Sequence, residues 1–182
     1  MIDSKREKFL SKFFSYVLRH HPKVIDLKVD EFGWASVDEL MANAAKDGKP
    51  FTMEELQFVV ANNAKQRFSL SEDNSKIRAN QGHSFPVNLE LEPIAPPAYL
   101  YHGTVAKFIE QIKEDGLQKM SRQHVHLSPD RETAINVGSR RGKPVILTIR
   151  AGAMHESGYQ FYLSKNGVWL VDAVPAEYIE FK

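Results

Sequence analysis

Apolar residues recur at helical spacing near the start of the chain. Phe9, Leu10, Phe13, Phe14, Val17 and Leu18 form one stripe, which Pro22 ends. Ser36-Val37-Asp38-Glu39 has capping-box spacing and predicts a second helix closing near Gly48. Thr52-Met53-Glu54-Glu55 repeats the device and predicts a third, reaching about Ala64. The period then changes. Alternating segments at 67–70 and 76–79 flank the turn Glu72-Asp73-Asn74-Ser75 and predict a hairpin. Three helices followed by a hairpin outline a winged helix-turn-helix, a shape used to bind nucleic acid or protein.

Leu89-Glu90-Leu91-Glu92-Pro93-Ile94-Ala95-Pro96-Pro97 breaks the pattern. Proline fixes φ and removes donors, so this run predicts an extended linker. Beyond it the pattern reads mostly as strands, at 99–102, 124–127, 145–149, 161–163, 168–171 and 179–181. Helices are predicted at 104–114 and 130–137, and Asn166-Gly167 marks a hairpin turn. The expected fold class is α+β, in two lobes covering 1–92 and 93–182.

Composition narrows the function classes. The 182 residues are 42% hydrophobic and 26% charged, ordinary values for a globular chain. With no cysteine there is neither a disulfide framework nor a thiolate metal site, and a reducing cytoplasm suits the chain. No apolar run is long enough to span a bilayer, and the first residues lack a signal-peptide core. Net charge is +1; residues 1–92 hold 13 basic and 14 acidic side chains, and the remainder 11 and 9. A protein that coats nucleic acid through a global field is excluded, and any contact must be a local patch.

The candidate chemistry is carried by scattered arginines and histidines. Arg19 and His20 fall in the last turn of the first helix, where they could simply complement its dipole. Arg67 opens the hairpin and Arg122 sits in a loop; taken singly, each reads as a surface arginine. His102-Gly103-Thr104 ends a predicted strand and opens a predicted helix. Gly103 would admit close approach of a ligand, Thr104 would cap the helix, and His102 could bond a ribose hydroxyl. His124 and His126 share a strand face; with His102 they suggest a zinc site, but no Asp, Glu or Cys completes the set, and no metal is expected. Gln81-Gly82-His83-Ser84 follows the hairpin as a polar loop with donors suited to a phosphate or ribose. Arg140-Arg141-Gly142-Lys143 reads as a solvated basic turn.

Together these strings resemble the NAD-dependent tRNA 2′-phosphotransferase family. The resemblance is carried by Phe14-Ser15-Tyr16-Val17-Leu18-Arg19-His20, Asp30-Glu31-Phe32-Gly33-Trp34, Lys65-Gln66-Arg67-Phe68-Ser69, Arg78-Ala79-Asn80-Gln81-Gly82-His83-Ser84, Tyr101-His102-Gly103-Thr104, Val125-His126-Leu127-Ser128 and Asn166-Gly167-Val168-Trp169-Leu170. It spans nearly the whole chain. It implies a winged-helix RNA-binding lobe at 1–92 and an ADP-ribosyltransferase-like NAD-binding lobe at 93–182.

The implied reaction removes an internal RNA 2′-phosphate, as on a tRNA-like substrate, and consumes NAD. The phosphate attacks ribose C1″ and expels nicotinamide; ribose O2″ then attacks phosphorus, giving 2′-hydroxyl RNA and ADP-ribose 1″,2″-cyclic phosphate. The resemblance places the catalytic tetrad on Arg19, His20, Arg67 and Arg122, and the NAD contacts on His102, Gly103, Thr104, His126, Ser128 and Val168. It places RNA contact on Gln81, Gly82, His83 and Ser84. Val168 stands where many protein-modifying relatives carry glutamate, which disfavours a protein side chain as acceptor.

Two competing readings remain: a transferase that stops after ADP-ribosylating a terminal phosphate of RNA or DNA, and a winged-helix regulator that senses NAD without chemistry. Two lobes around one cleft need no partner chain, so a monomer is expected.

Overall fold

A computed structural model describes residues 2–181. The chain divides into two compact units, Met1–Glu90 and Leu91–Lys182. Its helices and small antiparallel sheets make it α+β.

The first unit contains α1 (Ser4–Arg19), β1 (Ala35–Ser36), α2 (Val37–Lys46), α3 (Met53–Asn62), β2 (Phe68–Leu70) and β3 (Lys76–Ala79). Asp3 caps α1 by accepting from the Arg6 N–H at 2.8 Å, and the stripe Leu10, Phe13, Phe14, Val17 and Leu18 is buried. Phe14 is the hub of the core, edge-on to Phe51 at 4.9 Å and to Phe68 at 6.0 Å. The helix stops at Arg19; Pro22 instead opens a 3-10 turn, Pro22–Ile25.

Thr52 and Glu55 form the complete reciprocal box on α3, and Glu55 also takes the Arg6 guanidinium at 2.8 Å. At α2 only half of the expected box forms. Ser36 accepts from the Glu39 N–H at 3.3 Å, but the Glu39 carboxylate accepts from the Lys28 N–H instead. The strands pair in the order β1-β3-β2. The two-residue β1 is too short to carry a visible alternation in the sequence.

The second unit contains β4 (Leu100–Val105), α4 (Ile109–Asp115), β5 (Leu117–Gln118), β6 (Val125–Leu127), α5 (Arg131–Gly138), β7 (Pro144–Ile149), α6 (Ala151–Glu156), β8 (Phe161–Leu163), β9 (Trp169–Val171), β10 (Ala173–Val174) and β11 (Ile179–Glu180). Two three-stranded sheets, β11-β7-β4 and β6-β9-β8, enclose a core that includes Leu100, Leu147, Ile149, Phe161 and Trp169. They meet where Tyr101 and Ser128 exchange backbone hydrogen bonds of 2.9 and 2.7 Å.

One expectation is overturned here. Gly103 and Thr104 do not open a helix. They lie inside β4, paired with Ile146 and Val145 of β7, and helical structure begins only at the turn Ala106–Phe108. Thr104 is buried and caps nothing. Six residues of non-local pairing outweigh the local cap signal.

The proline-rich run has no regular structure. The Asn88 N–H bonds the Glu31 carbonyl at 2.8 Å in the first unit, and the Ile94 N–H bonds the Phe161 carbonyl at 2.8 Å in the second.

Candidate active site

In the first unit the chemistry gathers on α1. Ser11, Ser15 and Arg19 are spaced by four and form one ridge. Ser11 is buried, accepts from the Asn63 amide at 2.9 Å, and accepts from Nη1 of Arg67 at 3.3 Å. Arg67 therefore reaches across to the ridge that ends in Arg19. Both arginines and His20 are half-buried.

A five-residue clip, Asn80-Gln81-Gly82-His83-Ser84, ties the two arginines to one another. At one end the Asn80 N–H donates to the Arg67 carbonyl at 2.8 Å; at the other, the Ser84 N–H donates to the Arg19 carbonyl at 2.8 Å. The Asn80 side chain completes the first anchor. Its amide donates to the Gln66 carbonyl at 2.6 Å and its oxygen accepts from Ser69 Oγ at 2.7 Å. Gln66 needs such support because its φ of 38° is left-handed, a costly conformation without glycine. Of residues 81–84 only Ser84 is exposed; Gln81, Gly82 and His83 are buried.

Burial sets the electrostatics. The Arg67 pKa is pushed down by desolvation, and no carboxylate among the described residues offsets it. His83 is pushed down to about 4, first by burial and then by the charges of Arg19, His20 and Arg78. Its ring is neutral near pH 7, and neither ring nitrogen meets a hydrogen-bond partner among the described residues. Arg78 lies over the Trp34 ring at 4.6 Å and donates to the Phe32 carbonyl at 3.3 Å.

In the second unit β4 and β6 bring His102 and His126 together. His102 Nδ1 donates to the His126 carbonyl at 3.1 Å, so its Nε2 carries the lone pair when the ring is neutral. Burial lowers the His102 pKa, the bond to His126 opposes this, and the charges of Arg141 and Arg122 lower it further. His126 has the opposite tautomer: Nη1 of Arg122 donates to its Nδ1 at 3.1 Å, leaving Nε2–H as the donor of a neutral ring. Arg122 touches solvent, yet surrounding protein desolvates its guanidinium and Arg141 adds like charge; both lower its pKa. Ser128 follows β6, and one step beyond the Leu127–Trp169 pair the register sets it opposite Val168.

Gly103 fits a different need from the one expected. A Cβ there would collide with the Ala134 carbonyl and lie 2.9 Å from the Gly138 nitrogen, so its bareness lets α5 press directly on β4. His124 departs from the other two histidines: its ring lies 5.7 Å from Tyr162, and Asp172 and Lys119 are its charged neighbours. Among the described residues no three His, Asp or Glu side chains are grouped to hold a metal.

The family model for RNA 2′-phosphotransferase, Tpt1 / KptA family, matches residues 5–173. The chain belongs to this family. A Flavobacterium johnsoniae protein described as a probable RNA 2′-phosphotransferase is 59% identical over 175 residues, 96% of each chain. One from Rhodopirellula baltica with the same description is 58% identical over 172 residues, 94% of each. A third, from Nostoc punctiforme, is 54% identical over 180 residues, 99% of each.

Three residues of the first unit that touch Arg67 or its neighbours in this RNA 2′-phosphotransferase had no role assigned from sequence. Ser11 had a readable signal: it is a polar residue at an apolar-stripe position, aligned with Phe14 and Leu18 at i+3 and i+7. Asn63 and Asn80 had none, because their partners are 52 and 11 to 14 residues away.

Proposed function

We propose that this chain is an NAD-dependent RNA 2′-phosphotransferase with an N-terminal winged-helix unit and a C-terminal ADP-ribosyltransferase-like unit. Its substrate is a tRNA-like RNA carrying an internal 2′-phosphate. The observation that carries the reading is the pair Arg67 and Arg122. Each is a desolvated guanidinium whose hydrogen-bond partner is neutral, Ser11 in one case and His126 in the other. A cation stripped of water without a carboxylate is poised for an anion from outside.

The chemistry needs little else. A 2′-phosphate is mostly dianionic near neutrality (second pKa about 6), so as first nucleophile it requires positioning rather than a base. Arg122 serves the step that expels nicotinamide. Arg19, His20 and Arg67 serve the second step, in which ribose O2″ attacks phosphorus and the RNA 2′-oxygen leaves. His20 moves the protons of that exchange, because an imidazole, unlike a guanidinium, can both take and give a proton.

NAD, when bound, supplies the weak glycosidic bond at C1″. The second unit suits it: His102 offers an acceptor nitrogen for a ribose hydroxyl, His126 an N–H donor, and Arg122 a cation. Val168 supplies no carboxylate to activate a protein acceptor, and a phosphate needs none. Residues 81–84 act on RNA chiefly through the arginines that they hold.

Incubation with NAD and a short RNA bearing one internal 2′-phosphate tests the proposal. Nicotinamide, 2′-hydroxyl RNA and ADP-ribose 1″,2″-cyclic phosphate are expected. Intact NAD would overturn it, and a product that stays ADP-ribosylated would favour the terminal-phosphate transferase.

A further inference from the structure

His83 is the most buried ionisable group in its neighbourhood, 1% exposed, and its ring has no separate role in the steps above. Its ring is seated on Gly33: a Cβ at that glycine would stand 3.3 Å from Nε2 and 3.0 Å from Val87 Cγ1. Gly33 also has φ +83°, which other residues rarely adopt. Phe85 also packs against the ring, edge to face at 5.5 Å. The next residue, Ser84, is bonded to the Arg19 carbonyl through both its N–H, at 2.8 Å, and its Oγ, at 3.4 Å.

A buried imidazole whose two nitrogens lack partners is an expensive way to fill space. Phenylalanine or leucine would fill it without that cost. What an imidazole adds is an uncharged polar ring beside Arg19, His20 and Arg78. A permanent cation in its place would repel all three.

We propose that His83 is a positioning residue for Arg19 and His20, its ring wedged on Gly33 and fixing the 81–84 turn against the carbonyl end of α1. This rests on the reading that Arg19 and His20 serve the second step. A misplaced pair should slow transesterification and leave nicotinamide release nearly intact.

The test compares H83F, H83N and H83Q with the unaltered protein, following nicotinamide and cyclic phosphate separately in single turnovers and recording thermal melting. In H83F, cyclic phosphate release is expected to slow about tenfold or more, with ADP-ribosylated RNA accumulating and nicotinamide release within about threefold of normal. One of the two amides, each able to place an acceptor near one ring nitrogen, is expected to recover part of the loss. H83F kinetics equal to those of the unaltered protein would overturn the proposal. So would a parallel fall in both steps with a lowered melting point, or three variants that do not fold, since His83 would then be a core residue only. Failure of the unaltered protein to release cyclic phosphate would instead defeat the functional reading itself.

Discussion

The backbone N–H of Ser84 bonds the carbonyl of Arg19 at 2.8 Å, joining a loop past the hairpin to the last helical residue of α1, 65 positions earlier. The clip it closes is anchored at its other end on Arg67 by Asn80. N80A should release Gln66 from its left-handed conformation and cost about 1–3 kcal/mol for each buried partner left unsatisfied. Denaturant unfolding should show the loss, and turnover should fall more than NAD binding.

Arg67 and Arg122 should separate the two steps. R122A is expected to slow nicotinamide release about tenfold or more, because one charge-assisted hydrogen bond contributes about 1.5–3 kcal/mol. R67A is expected to let ADP-ribosylated RNA accumulate. R67K should rescue poorly, since an ammonium cannot reproduce the two-pronged grip on phosphate. Product analysis on single-phosphate RNA distinguishes these outcomes.

The acid side of the stability profile should be steep. His83, His102 and His124 all have pKa values lowered by folding, chiefly through burial, and His83 is held at about 4. The unfolded chain therefore binds more protons below about pH 6.5, and stability is complete above that value and lost as pH falls toward 4. The groups that face His83 are Arg19, His20 and Arg78, and the two arginines oppose its protonation throughout that range. For His83 alone the loss is on the order of 3 kcal/mol. Unfolding free energies between pH 7 and 4 should show it, and H83F should flatten the slope.

How much of this was legible in the sequence depended on distance along the chain. The cap at Thr52 and the turn at Asn166-Gly167 are local: Thr52 forms its box, and Gly167 adopts the φ of 78° that the turn requires. The end of β4 was misread because His102-Gly103-Thr104 looks polar and cap-like, while what keeps it extended is a partner strand more than forty residues on. The helix α6 went unseen because Arg150, before it, makes no side-chain cap. At the candidate site, the strings single out Arg19, Arg67, His102 and Arg122, and the structure adds hydrogen bonds such as Arg67 to Ser11 and Arg122 to His126. The clip was not, because Ser84 meets Arg19 only once α1 and the hairpin have packed.

G103A is the sharpest test of the second unit. The added methyl would strike the Ala134 carbonyl, which is backbone and cannot rotate away. A severe loss of stability is expected, above the 1–3 kcal/mol usual for overpacking, readable as a lowered melting point.

The same bare contact bears on how NAD would be received. Gly103 meets Ala134 and Gly138 on the same helix, and a Cβ on Gly138 would in turn stand 3.2 Å from the Gly103 carbonyl carbon. Main chain lies on main chain, with no flexible side chain between to act as a cushion. A strand so mounted has little freedom to breathe, and His102, one residue away, inherits that stiffness. The dinucleotide would therefore meet a socket already in shape, and its binding enthalpy would go into grip rather than into ordering the protein.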